Sequence, residues 1–164
     1  MSDIILTSSE IESKLERMAY QILEANNEHP EIVLAGISHN GYAVAERISY
    51  YFHKISSKKV FLCKVVLNKK NPLDPITTSL SEKEYVNKSV TVVDDVLQSG
   101  TTLIYAVRHF LSVPLQQCNT AVLVDRNHKK YPIKVDFKGV SLSTSMNENV
   151  AITVNKDGFT AMLE

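Results

Sequence analysis

Apolar positions recur along the chain with two different periods, and the alternation between those periods predicts its elements. Ile11, Leu15, Met18 and Ile22 fall on one face of a helix. Thr7-Ser8-Ser9-Glu10 stands just before that face and reads as a capping box, the Thr7 hydroxyl and the Glu10 carboxylate each satisfying an amide that the first turn leaves without a partner. Residues 31–37 form a short apolar run that leads into Ser38-His39-Asn40-Gly41, after which Val44, Ile48, Tyr51 and Ile55 mark a second helix. Residues 60–67 are rich in β-branched side chains and read as a strand. Residues 89–93 read as another strand, closed by Asp94-Asp95, and Leu103, Val107, Phe110 and Leu111 mark a third helix. Residues 121–124 repeat the device, an apolar run closed by Asp125.

Near-continuous apolar strands alternating with amphipathic helices specify a parallel sheet with helices on both faces, the doubly wound α/β class. Ligands of such sheets bind at the carboxyl ends of the strands. Residues 38–41, 94–102 and 125–132 have that address. Residues 68–88 are polar, include Pro72 and Pro75, and read as a long loop inside the domain, of the kind that closes over a site. Tyr50-Tyr51-Phe52 lies at helical spacing with Ile48 and Ile55, which assigns it to core packing.

Composition narrows the function classes. The chain has 164 residues with 18 basic and 18 acidic side chains, and 44% of its residues are hydrophobic. That describes a single domain, residues 1–164, with enough apolar surface to fold without disulfides or structural metal. A net charge of zero argues against a protein that holds nucleic acid mainly by neutralising phosphates. Cys63 and Cys118 are far apart, without a metal-ligand pattern, and read as small buried hydrophobes. Met1-Ser2-Asp3 does not open a signal peptide and no apolar run approaches the ~20 residues of a membrane span, so a cytoplasmic protein with no membrane association is expected.

The most informative segment is residues 90–102, where an apolar strand joins a helix through Asp94-Asp95-Val96-Leu97-Gln98-Ser99-Gly100-Thr101-Thr102. Amides of the Ser/Gly/Thr turn at the positive end of a helix, with the hydroxyls of Ser99, Thr101 and Thr102, make an anion cradle fit for a phosphate. Two adjacent carboxylates before it suit the paired hydroxyls of a ribose. Ordinary turn and cap chemistry also uses these residue types. A phosphoacceptor receiver, too, has an acid pair at a strand end, but there the pair closes the first strand of the chain.

Val92-Val93-Asp94-Asp95-Val96-Leu97-Gln98-Ser99-Gly100-Thr101-Thr102 resembles the phosphoribosyl-pyrophosphate (PRPP) motif of type I phosphoribosyltransferases. Residues 121–133, from Ala121 to Ile133, followed by Asp136-Phe137-Lys138-Gly139 and Ser143-Thr144-Ser145, are similar to the carboxyl-terminal half of the PyrR group, which joins uracil phosphoribosyltransferase activity to attenuation of pyrimidine-operon RNA. Leu34-Ala35-Gly36-Ile37 with Gly41, and Leu15-Glu16-Arg17-Met18-Ala19, extend the likeness over nearly the whole chain. The resemblance implies a doubly wound sheet with a small hood region. It also implies transfer of phosphoribose from PRPP to a nucleobase, uracil favoured, with release of pyrophosphate and Mg2+ present. A PyrR-like RNA-binding or nucleotide-sensing regulator with little catalysis is the alternative.

On the family pattern, Asp94 and Asp95 would hold the ribose hydroxyls, and Leu97, Gln98, Ser99, Gly100, Thr101 and Thr102 the 5-phosphate. Mg2+ would sit near the two acids through PRPP and water. Ser38, His39, Asn40 and Gly41 would form the pyrophosphate loop, Asp125 and Arg126 would line the base pocket, and residues 68–88 would be the lid. Where the PyrR loop carries Thr-Arg-Gly, this chain has His39-Asn40-Gly41; where its lid carries Tyr-Arg-Asp-Asp, this chain has Asn68-Lys69-Lys70-Asn71, leaving Lys69 as a point charge for pyrophosphate; Thr101 replaces an Arg in the phosphate loop. His128 matches a family position, while His29, His53 and His109 read as surface or helix residues. The family also implies a homodimer or higher homo-oligomer. RNA binding is not expected, because residues 8–25 place Glu10, Glu12, Glu16 and Glu24 against only Lys14 and Arg17, on a helix that matches part of the family's basic RNA face.

Overall fold

The structure, a computed structural model, describes residues 3–143 and 148–164. Thr144 and Ser145, part of the likeness drawn above, lie outside the described residues. In chain order the elements are β1 (Asp3–Leu6), α1 (Ser8–Ala25), β2 (Glu31–Ile37), α2 (Asn40–Ile55), β3 (Lys59–Val66), β4 (Thr77–Thr78), α3 (Glu82–Tyr85), β5 (Ser89–Leu97), α4 (Thr101–Phe110), β6 (Gln117–Asp125), β7 (Phe137–Ser141), β8 (Val150–Asn155) and β9 (Gly158–Leu163).

The larger sheet has six strands in the order β4-β3-β2-β5-β6-β7, parallel except for the short edge strand β4. Its central strands are apolar at nearly every position because both faces are covered. Ile32, Leu34, Val93 and Leu123 pack with α1 and α2, while Val33, Ala35, Val92 and Val122 pack with Leu103, Ala106 and Phe110 of α4. The expected face of α1, Ile11, Leu15, Met18 and Ile22, is fully buried. Thr7 caps it as the sequence suggests, accepting the Glu10 amide at 3.4 Å, but Glu10 takes the Thr7 hydroxyl at 2.9 Å.

Four expectations change. The strand expected to end at Val93 runs on to Leu97, because β6 offers it partners through Asp94↔Val122, Val96↔Val124 and Leu97↔Asp125; the acid pair therefore lies within β5. Residues 68–88 are not one continuous loop: Thr78 pairs with Val65, and a Ser81/Glu84 capping box starts α3, whose Tyr85 is buried edge-on against Phe110. Of the aromatic triplet on α2 only Phe52 is in the core, and Tyr50 is 44% exposed beneath the Arg47 guanidinium. On α4, Leu111 lies outside the helix and is 58% exposed, while Ala106 takes the buried position. Cys63 is buried and Cys118 half-buried.

The second sheet, antiparallel β1-β9-β8, has no counterpart among the elements read from the chain. Leu6, Ile152, Phe159 and Ala161 pack it into the same core as α1. It is the hood. Among the described residues, no helix is long and apolar enough to cross a membrane.

Candidate active site

The parallel strands β2 and β5 end side by side, and the hood stands across from them, leaving a cleft of about 440 Å3. Its walls hold Asp94, Asp95, Leu97, Gln98, Ser99, Gly100, Thr101 and Thr102, the whole set expected for ribose phosphate. Asn40 and Lys69 also line it, and Val150, Ala151 and Ile152 of β8 close the third side.

The turn after β5 is held open by backbone geometry. Gly100 is the cap residue before α4, with φ of 87°, a left-handed conformation that costs a side-chain-bearing residue dearly. A Cβ there would also meet Ile133 Cγ2 at 2.6 Å. With no side chain on the cap, the first turn of α4, Thr101 to Leu103, lines the cleft at the positive end of the helix dipole. Ser99 and Thr101 share a hydroxyl hydrogen bond of 2.7 Å, and the Thr101 amide donates to Ser99 Oγ at 3.3 Å. Ser99 O receives the amide of Lys130 at 2.7 Å, tying the turn to the segment after β6. The turn thus brings hydroxyls and a helix N-terminus to one wall of the cleft, the chemistry that suits a tetrahedral dianion.

The two acids have different surroundings. Asp94 is 3% exposed, with its Oδ1 accepting the Asp95 amide at 2.9 Å. Burial, and then the neighbouring Asp95 carboxylate, push the Asp94 carboxyl well above the usual carboxylate range, and Lys69 pulls it back down. Asp95 is half-buried; its Oδ1 accepts the Val96 amide at 2.8 Å and its Oδ2 accepts Asn40 Nδ2 at 3.1 Å.

Residues 38–41 divide. Asn40 faces the cleft. Gly41 packs behind it, so closely that a Cβ would sit 2.8 Å from Val93 O and 3.1 Å from Asp94 Oδ1. Ser38 is held by its amide to Val65 O at 2.7 Å, and His39 is exposed at φ 63° and ψ −97°, a strained conformation for a non-glycine residue of the kind that gathers at functional sites. Asp125 and Arg126 do not occur among the cleft walls. Asp125 is 1% exposed, paired with Lys138 at 3.6 Å and accepting the Asn127 amide at 2.9 Å. Arg126 anchors the segment before the hood by donating to Glu148 O, and its amide reaches Leu97 O at 3.1 Å. His128 is half-buried beyond them.

Val150, Ala151 and Ile152 line the cleft without belonging to any motif read from the chain. The alternation in Val150-Ala151-Ile152-Thr153-Val154, closed by Asn155-Lys156-Asp157-Gly158, is a hairpin signal that could have found the strands. Their place over the cleft has no local signal.

A profile of the phosphoribosyl transferase domain matches residues 1–154. The chain belongs to the phosphoribosyltransferase family. Within it, the chain is similar to proteins named Bifunctional protein PyrR: that of Ligilactobacillus salivarius is 32% identical, covering 96% of this chain and 97% of the other. That of Staphylococcus carnosus is 32% identical over 98% and 97% of the two chains. Among solved structures, the hypoxanthine phosphoribosyltransferase of Trypanosoma cruzi superposes with a TM-score of 0.75 at 15% identity, covering 90% of this chain and 84% of that one. A hypoxanthine-guanine phosphoribosyltransferase of Bacillus anthracis gives 0.72 at 18%, covering 85% and 82%. At such identity these two establish the phosphoribosyltransferase fold, and the sequence relatives place the chain with PyrR.

Proposed function

We propose that this phosphoribosyltransferase-family chain transfers the 5-phosphoribosyl group of PRPP to a lactam nucleobase, uracil favoured. A ring nitrogen of the base attacks C1 of the ribose, the bond from C1 to the pyrophosphate oxygen breaks with its electron pair leaving on pyrophosphate, and the base nitrogen gives up its proton. The chain's part is placement and charge. Thr101, Thr102 and the turn amides seat the 5-phosphate, Asp94 and Asp95 take the ribose hydroxyls, and the negative charge of the pair, carried first by Asp95, favours an oxocarbenium-like centre between them and the hood.

The observation that carries this reading is the facing of three elements across one cleft: phosphate cradle, acid pair and hood strand edge. Mutual hydrogen bonds between Asn149 and Glu164 set the alternation along β8, so Val150 and Ile152 turn their amide and carbonyl groups away from β9. The Val150 carbonyl and the Ile152 amide then form an acceptor and a donor side by side. An N–H next to a carbonyl is their complement, as on uracil, hypoxanthine or guanine. Uracil leads because the relatives that match nearly the whole chain carry the name Bifunctional protein PyrR.

Among the described residues no three or more His, Cys, Asp or Glu side chains converge as a metal cage. The two acids suit Mg2+, which favours one or two carboxylates with substrate oxygens and water. When bound, it neutralises charge on the leaving pyrophosphate. Pyrophosphate release, assayed with PRPP and Mg2+ against uracil, hypoxanthine and guanine, should be fastest with uracil. PRPP binding by titration calorimetry without release for any base would overturn transfer and favour a nucleotide-sensing regulator.

A further inference from the structure

Asn40 opens α2 at the foot of the cleft, and its side-chain nitrogen donates twice: at 3.1 Å to Oδ2 of Asp95 and at 2.8 Å to the carbonyl oxygen of Ile152. Both partners are acceptors only, so the amide must present its NH2 group to them and both of its hydrogens are engaged. Asp95 belongs to β5, in the floor of the cleft, and Ile152 to β8, in the hood. One side chain therefore spans the two walls between which a base and a ribose would meet.

The rest of the hood is held differently. Its back is packed on the core through Leu6, Phe159 and Ala161, and Ser8 Oγ reaches Asp157 O at 3.3 Å near the hairpin turn. At the edge over the cleft, β8 has no strand beyond it among the described residues, since the hood order is β1-β9-β8. An edge strand supported only on one side frays and shifts unless something outside the sheet ties it down. Arg126 does this just before β8, through Glu148 O, and Asn40 does it within β8.

We propose that Asn40 is a latch: a positioning residue that fixes the height and register of the β8 edge above Asp95, so that a base held on that edge meets the ribose held by the acids. The functional consequence rests on the transferase reading; the latch does not. An Arg at this position, as in the PyrR loop, could reach pyrophosphate, whereas here the amide is committed to two protein acceptors and Lys69 is left as the cation of the cleft wall. The same position thus serves the hood in this chain.

The test is hydrogen–deuterium exchange on the full chain without ligand, comparing wild type with Asn40→Asp and Asn40→Ala. Asn40→Asp keeps the shape but sets an oxygen against a carboxylate and a carbonyl; Asn40→Ala removes both bonds and adds no charge. Losing a hydrogen bond to a charged group, with a second beside it, should speed exchange in residues 149–155 by about tenfold or more, α1 keeping its wild-type rate. In the active enzyme KM for the base should rise about tenfold, with kcat and KM for PRPP changing less. Unchanged exchange in residues 149–155 in both variants would overturn the latch, as would an acceleration shared equally by α1, which marks general loosening. Local loosening with an unaltered base KM would overturn its registering role. If wild type shows no transfer for any base while exchange at 149–155 still depends on Asn40, the transferase reading falls and the latch stands.

Discussion

Asp94 combines two demands that oppose each other. In the proposed reaction its carboxylate accepts a ribose hydroxyl, yet burial and Asp95 make its charged form costly, so the group binds protons more tightly folded than unfolded. The sign follows from linkage: the native state holds the extra proton above the ordinary carboxylate value of 3.8, and stability falls as pH rises from there through the raised native value. Asp94→Asn removes that cost. Its melting temperature should exceed that of wild type at pH 8, and the advantage should vanish near pH 4. Turnover should go the other way. Loss of a charged hydrogen bond of roughly 1.5 to 3 kcal/mol lowers the rate by about one to two orders of magnitude for Asp94→Asn or Asp95→Asn, and it should appear in kcat more than in KM for PRPP. Full single-turnover rates in the doubly substituted protein would remove the acids from the site. A variant at Asp94 less stable than wild type at pH 8 would show that Asp94 serves structure instead.

The turn from β5 into α4 depends on one backbone conformation. Gly100→Ala would force φ of 87° on a residue with a Cβ and drive that Cβ to 2.6 Å from Ile133 Cγ2. The expected cost is about 1–2 kcal/mol for the backbone alone, read by urea denaturation. Inorganic phosphate, followed by calorimetry, should bind at least tenfold more weakly, because the amides that would surround it can no longer converge. Unchanged phosphate affinity would mean that the anion is held elsewhere. This element was legible in the chain: Ser99-Gly100-Thr101-Thr102 after an apolar strand carries its own local chemistry. β4 and α3 were less so, since two strand residues need the edge that Val65 offers, and a single helical turn, though started by the Ser81/Glu84 box, is held by Tyr85 against Phe110.

At the scale of the molecule, charge and oligomeric state are open to test. On α1, Glu12 is paired with Arg47 at 2.9 Å, which leaves Glu10, Glu16 and Glu24 against Lys14 and the exposed Arg17, whose guanidinium also reaches the carbonyls of Lys138 and Gly139 at 3.1 and 2.7 Å. A surface of that sign repels a phosphate backbone. Filter binding with a pyrimidine-leader hairpin should show no salt-sensitive retention; tight, salt-sensitive retention would restore RNA binding. The family likeness points to a dimer or larger assembly, and Leu73 and Leu111, 72% and 58% exposed beside the lid segment and α4, are apolar surface that an interface would cover. Light scattering at micromolar concentration should return at least twice the chain mass, and a single-chain mass would refute self-association.

Period and punctuation along the chain were enough to set the parallel sheet, the face of α1 and the glycine turn into α4, because each depends on neighbours within a few residues: a buried face needs apolar spacing, and a tight turn needs its glycine. The hood needed the whole molecule. β1 and β9 come from opposite ends of the chain, and their pairing, Ile4 with Met162, is a choice no local pattern records. The same holds for Asn40, which reads as a loop polar residue until folding brings Asp95 and Ile152 to its two hydrogens. Asp125 and Arg126 show the converse. Their place after an apolar run marks a strand end at the ligand face, but which partners their buried charges meet, Lys138 for Asp125 and the Glu148 carbonyl for Arg126, is decided by segments more than a dozen residues farther along the chain.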